Sequence, residues 1–121
     1  MALILIVDDS PTEVHVMQTA LEKHGFRTAA AGDGAEGVRL AREMSPDLIF
    51  MDIVMPGMNG YQATRALVND PRTRQIPIIM VTSKGQETDR IWGLRQGAVD
   101  YMVKPVSPDQ LIAKARLALA N

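Results

Sequence analysis

The sequence predicts an α/β domain built on a doubly wound parallel sheet. Two observations lead there. Short apolar runs alternate along the whole chain with longer segments whose apolar residues recur at helical spacing. Turn and cap residues stand at nearly every junction between them. A third observation bounds the size. The chain has 121 residues, 46% hydrophobic and 22% charged, which suits one domain that buries a core unaided. Five strand–helix units imply right-handed crossovers and helices on both sheet faces.

Leu3–Val7 is a continuous apolar run, as in a strand buried on both faces. Ser10-Pro11-Thr12-Glu13 opens the first helix. Serine caps it, proline suits the first turn, and glutamate three residues on completes a capping box. Val14, Met17 and Leu21 form its inner face, and Gly25 ends it. Phe26–Ala31 is a second strand and Gly32-Asp33-Gly34 a turn. The second helix runs to about Met44, with Val38, Ala41 and Met44 inward. Asp47–Met51 is a third strand, ending at Asp52, and Met55-Pro56-Gly57-Met58 has the pattern of a type II turn. The third helix spans about Gly60–Asn69 and stops at Asp70-Pro71. Pro77 precedes a fourth strand, Ile78–Val81, which ends at Thr82. The fourth helix covers about Gln86–Gln96, with Ile91 and Leu94 on its buried stripe, and Gly97 stops it. Val99–Val103 is a fifth strand, followed by Lys104-Pro105. Ser107-Pro108 starts a last helix whose Leu111, Ile112, Ala115, Ala118 and Leu119 face inward. Residues 1–121 read as one domain, without linkers, repeats or low-complexity segments, and a single unit with no output domain is the expectation.

Composition removes several functions. There are no cysteines, so disulfides, thiolate metal sites and a cysteine nucleophile are impossible. The net charge of -1 gives no broad basic field for nucleic acid. Charge is uneven, however: residues 1–52 carry nine acidic and four basic residues, and residues 53–121 carry five and nine. The N-terminus lacks a signal peptide's basic start and cleavage site, and no apolar run is long enough to span a bilayer. A soluble cytoplasmic protein with no membrane insertion is expected, as a monomer or weak dimer.

In open parallel sheets the site lies outside the carboxyl ends of the strands. Asp8, Asp9, Asp52, Thr82 and Lys104 all stand there. Each alone has a plain reading: a strand-end turn, a loop aspartate, a β-branched strand residue, a solvated lysine. Together they describe a site. At 4 Å a carboxylate pair costs about 1 kcal/mol in water and about 4 kcal/mol at an effective dielectric near 20, so the cluster attracts a cation. All-oxygen donors favour Mg²⁺ or Ca²⁺, and few carboxylates with retained water is the habit of Mg²⁺. With an ammonium and a hydroxyl nearby, such a site accepts a phosphoryl group, with Asp52 as the nucleophile.

These residues, with Met55-Pro56-Gly57 and Gly60 after Asp52 and Pro105 after Lys104, resemble the CheY-like receiver domain of bacterial two-component response regulators. The resemblance covers the whole chain. It implies a flavodoxin-like five-stranded sheet of order 2-1-3-4-5. It makes Asp52 the phosphoacceptor, and Asp9, Asp52 and the Val54 carbonyl the Mg²⁺ ligands, with Asp8 acting through water. Lys104 would pair with a phosphoryl oxygen, and Thr82 and Tyr101 would form the switch pair. It implies a cis bond at Lys104-Pro105, which proline makes cheap, at about 0.5–1 kcal/mol. Val54 and Lys84 occupy positions where receivers differ in phosphoryl lifetime. The phosphodonor would be a sensor histidine kinase, so His15 and His24 need no phosphotransfer role.

Within the family, three stretches resemble single-domain regulators of twitching motility and chemotaxis, the PilH-like group most of all. They are Val7–Glu13, Asp52–Gly57 and Gln86–Ala98. Output would then be phosphorylation-dependent binding of an effector protein, or removal of phosphoryl groups from a shared kinase. An aspartate-nucleophile phosphatase is the enzyme alternative. Its usual second aspartate falls at Val54, which transfers no proton. The resemblance therefore implies no enzyme beyond self-phosphorylation and self-dephosphorylation. A flavin or nucleotide carrier would need a glycine- or hydroxyl-rich cradle where Asp8-Asp9-Ser10-Pro11 stands. Trp92, Arg95 and Tyr101 are candidates for a partner surface. Trp92 either stands out from its helix or folds down over it.

Overall fold

A computed structural model describes residues 1–83 and 87–120. Strands β1 (Leu3–Val7), β2 (Arg27–Ala31), β3 (Leu48–Asp52), β4 (Ile78–Thr82) and β5 (Asp100–Val103) form one parallel sheet. Its order is β2-β1-β3-β4-β5. Helices α1 (Pro11–Lys23) and α5 (Pro108–Leu119) pack on one face. Helices α2 (Gly34–Met44), α3 (Gly60–Val68) and α4 (Glu87–Gln96) pack on the other. Lys84 and Gln86 lie outside the described residues.

The central strands are buried on both faces because their apolar residues are continuous. Alternate side chains then feed two cores. Ile4, Ile6, Phe50, Ile79 and Val81 meet Met17, Leu21 and Leu111 on the α1/α5 side. Leu5, Val7, Ile49, Met51, Ile78 and Met80 meet Val38, Ala63 and Leu67 on the other.

Several local expectations change for physical reasons. Ser10 caps α1, its hydroxyl accepting from the Glu13 amide at 3.3 Å. The returning half of the capping box is taken by Asp8, whose Oδ1 accepts from the Ser10 amide at 2.9 Å. Phe26 belongs to the turn after α1, not to β2; its amide donates to the Leu21 carbonyl. Met44 is exposed rather than inward. Each three-residue step turns a helix about 60° off its starting face, so Met44 has drifted away from Val38. Met55 is buried, because the segment after β3 folds back into the α2/α3 core. Gly57 has φ +72°, as a type II turn requires.

The largest correction concerns α4. Ile91 and Leu94 do not form a buried stripe; they are 41% and 36% exposed, and Gly93 is the buried residue of the helix. A Cβ on Gly93 would lie 3.0 Å from Met80 Cγ and 3.9 Å from Tyr61 Cε1. The helix touches the sheet along its glycine, so the larger side chains beside it turn outward.

Asp70 ends α3 and also joins it to α2. It is buried and accepts from Arg42 Nε at 2.8 Å, from Arg72 Nη2 at 2.9 Å and from the Arg72 amide at 2.9 Å. The hydrogen bonds from Arg72 hold its carboxyl well below the usual carboxylate range, with Arg42 adding to them.

Gly60 fixes the loop beside the phosphoacceptor candidate. Its amide donates to the Ile53 carbonyl at 2.8 Å, and a Cβ there would sit 2.0 Å from the Asp52 carbonyl oxygen. Neither backbone can yield without moving the Asp52 strand end. Gly60→Ala is therefore expected to cost about 3 kcal/mol of unfolding free energy. Urea denaturation measures it, and an unchanged midpoint would show that the loop steps aside.

Candidate functional site

Strand register brings the charged residues together. Val7 stands opposite Met51, so the next residues, Asp8 and Asp52, are neighbours at the carboxyl ends of β1 and β3. Val81 stands opposite both Asp52 and Met102, and the two-residue period aims Lys104 to the same side. The Lys104 amide donates to the Thr82 carbonyl at 2.7 Å, and the Lys104-Pro105 bond is cis.

Asp8, Asp9 and Asp52 each present an oxygen within 4.8 Å of the others. Asp8 and Asp52 are buried and Asp9 is exposed. Lys104 Nζ lies 2.8 Å from Asp8 Oδ2 and 3.5 Å from Asp52 Oδ1. One ammonium thus faces three carboxylates and pairs mainly with Asp8. Asp8 and Asp9 open onto a cavity of about 380 Å³ that runs along α1 past Val14 and His15.

The electrostatics follow from this crowding. Burial, then the charge of Asp8, push the Asp52 carboxyl up to about 6, against the opposing pull of Lys104. Burial works against the Lys104 ammonium. Its hydrogen bond to Asp8 and the charges of Asp52 and Asp8 outweigh this, so Lys104 titrates above the ordinary lysine range.

Thr82 is fully buried at the end of β4. The register pairs Met80 with Tyr101 and Thr82 with Val103, so Thr82 and Tyr101 face the same side of the sheet. Tyr101 is half-buried against the α2/α3 core. Burial and then Asp89 raise its hydroxyl's pKa. Tyr61 shares that environment, and its hydroxyl donates to the Asp89 carbonyl at 3.3 Å. Val54, two residues beyond Asp52, is 54% exposed. Trp92 and Arg95 are exposed on α4, where Trp92 lies beside Tyr61 and Arg65 of α3.

Two contributors escaped sequence reading. The Ser10 amide orients Asp8 so that its other oxygen meets Lys104. The Asp8-x-Ser10 spacing of a local carboxylate turn carried that signal. Tyr61 has no such signal, because its partner Asp89 lies on another helix.

The family model for the response regulator receiver domain matches residues 4–116. The chain is 55% identical to the protein PilH of Pseudomonas aeruginosa over 121 residues, covering all of both chains. It is 40% identical over 116 residues to the DNA-binding response regulator MtrA of Mycobacterium tuberculosis, of which it covers 50%. Among solved structures, the Vibrio cholerae chemotaxis protein CheY4 superposes with a TM-score of 0.93 at 29% identity. That match covers 98% of this chain and 99% of the other. The response regulator domain of Thermotoga maritima CheB gives 0.90 at 33% identity, covering 100% and 98%.

Because Asp52 binds its proton more tightly folded than unfolded, its ionisation costs stability. The cost is absent below the ordinary value of 3.8, grows as pH rises to about 6, and is full above that. Asp52→Asn is expected to gain about 3 kcal/mol over the wild type at pH 7 in chelator, and little at pH 4. Chemical denaturation at the two pH values measures it. An equal difference at both would assign the effect to packing.

Proposed function

The chain belongs to the response regulator receiver family, and from that premise we propose that Asp52 accepts a phosphoryl group from the phosphohistidine of a sensor kinase, with Mg²⁺ bound at the carboxylates. The observation that carries this reading is the seat of Lys104 Nζ between Asp8 and Asp52, within a triad of converging carboxylates. The donor set is all oxygen and partly open to solvent, which suits Mg²⁺. Asp9, Asp52 and the Val54 carbonyl would hold the ion, and Asp8 would act through water. When bound, it supplies positive charge to the carboxylates and to the oxygens of the transferred group.

An Asp52 oxygen attacks phosphorus as the phosphorus–nitrogen bond of the donor breaks, and that bond's electron pair leaves with the imidazole. Lys104, already within reach, pairs with a phosphoryl oxygen. Thr82 turns its hydroxyl toward the new group and Tyr101 moves into the space on the same sheet face. Output is binding of an effector protein, in pilus-driven or chemotactic motility. The 55% identity to PilH and the fold shared with CheY4 support that setting. Residues 1–121 act as a single cytoplasmic domain in this reading. Among the described residues, no helix is long and apolar enough to cross a membrane. The exposed Val54 side chain provides no second acid, which disfavours a phosphatase.

Intact-mass measurement with a small phosphodonor tests the chemistry. One Mg²⁺-dependent phosphoryl adduct is expected on the wild type and none on Asp52→Asn. If the wild type stays unmodified even with a phosphorylated histidine kinase, the proposal fails. Thr82→Ala is expected to take up the phosphoryl group while the Tyr101 ring resonances shift far less than in the wild type. A full Tyr101 shift in that variant would uncouple the pair.

A further inference from the structure

We propose that the groove between α3 and α4 docks an acidic segment of a partner protein. It names the partner chemistry for the protein-binding output above and rests on that reading. The groove holds about 250 Å³ and is lined by Asn59, Tyr61, Gln62, Arg65, Trp92 and Gln96. None of these carries a negative charge.

Its hydrogen-bonding character is lopsided. Asn59 and Gln62 form the capping box of α3: Asn59 Oδ1 accepts from the Gln62 amide at 2.9 Å, and Gln62 Oε1 accepts from the Asn59 amide at 3.0 Å. Each side-chain carbonyl already holds one bond inside the box, which turns the NH₂ groups of both residues toward a visitor. The Arg65 guanidinium and the Trp92 indole N–H are donors only. Arg95 stands one helical turn beyond Trp92, and among the described residues neither Arg65 nor Arg95 makes an ion pair. Of the nearby acids, Glu87 pairs with Arg90, and Asp89 lies behind the groove wall, its Oδ1 3.5 Å from the Tyr61 hydroxyl. A donor-rich groove with one unpaired arginine in its lining and a second on the adjoining turn of α4 asks for carboxylates.

The second requirement is apolar. Trp92, the chain's single tryptophan, is 53% exposed along one wall. An aromatic or aliphatic side chain lying on it would remove that ring from water, and Trp and Arg are the residues that most often dominate interface energies. Two arginines on a chain of net charge -1 form no track for a phosphate backbone, which favours a peptide over nucleic acid.

The test is selection of a displayed library of short random peptides on the 121-residue protein without phosphodonor, counter-selected on an Arg65→Glu/Trp92→Ala double variant. Selected peptides are expected to be rich in Asp and Glu around an aromatic or aliphatic residue. Fluorescence anisotropy should show affinity falling about tenfold or more in Arg65→Glu and in Trp92→Ala. Arg39→Glu, on α2, should change it less than about twofold, and Trp92→Phe should keep most of it. Thermal melts establish that each variant is folded. The proposal is overturned if no peptide survives counter-selection, or if the survivors are basic or uncharged. It is equally overturned if sedimentation shows a dimer that Trp92→Ala dissolves, or if only oligonucleotides bind in an Arg65-dependent way. Selection reads the groove without phosphorylation, so its failure and a failure of phosphoryl transfer are separate results.

Discussion

Three carboxylates held at one strand-end crevice are the constraint around which the molecule is arranged. Mutual repulsion would spread Asp8, Asp9 and Asp52 apart in an unfolded chain. The β1–β3 register forces two of them to be neighbours, and the buried strands leave them no room to separate. The ammonium of Lys104 relieves part of the repulsion, and the Ser10 amide takes up another part at Asp8. Negative charge still exceeds positive. A site in that condition binds cations and cation-bearing groups more readily than a neutralised one. Its readiness is stored in the packing of the two hydrophobic cores rather than in any flexible element.

The two sheet faces divide the work. Period-two alternation sends Asp8, Asp52 and Lys104 to the α1/α5 side and Thr82 and Tyr101 to the α3/α4 side. Yet Lys104 and Thr82 are joined by a single backbone hydrogen bond. A displacement of the strand end at Thr82 is therefore felt at once on both faces. Tyr101 and Tyr61 share the electrostatic environment of Asp89 on α4, so the first strand-end shift has a short path to that helix.

Much of this arrangement was legible in the sequence. Asp8, Asp52 and Lys104 could be placed because each follows an apolar run, and period two decides the rest. What the sequence hid were competitions between partners. Glu13 has the right spacing to receive the Ser10 amide, but Asp8 is closer and takes it. Ile91 and Leu94 have the right spacing to face inward, but Gly93 lets the helix settle on Met80 along a different line. Met55 stands in a turn motif, but the close approach of Gly60 to Asp52 draws the loop inward and buries it. In each case a one-dimensional pattern offered two solutions, and a contact distant in sequence chose between them.

The thin attachment of α4 has a consequence for how this architecture diversifies. Gly93 is the residue of α4 that is buried, so the helix is fixed to the domain by backbone shape more than by its side chains. Its outer positions are nearly unconstrained by folding. A lineage can rewrite that surface, exchanging Trp92 or Arg95 for other residues, and keep the carboxylate cluster and the sheet intact. The outer face of α4 and the strand-end site can therefore change independently.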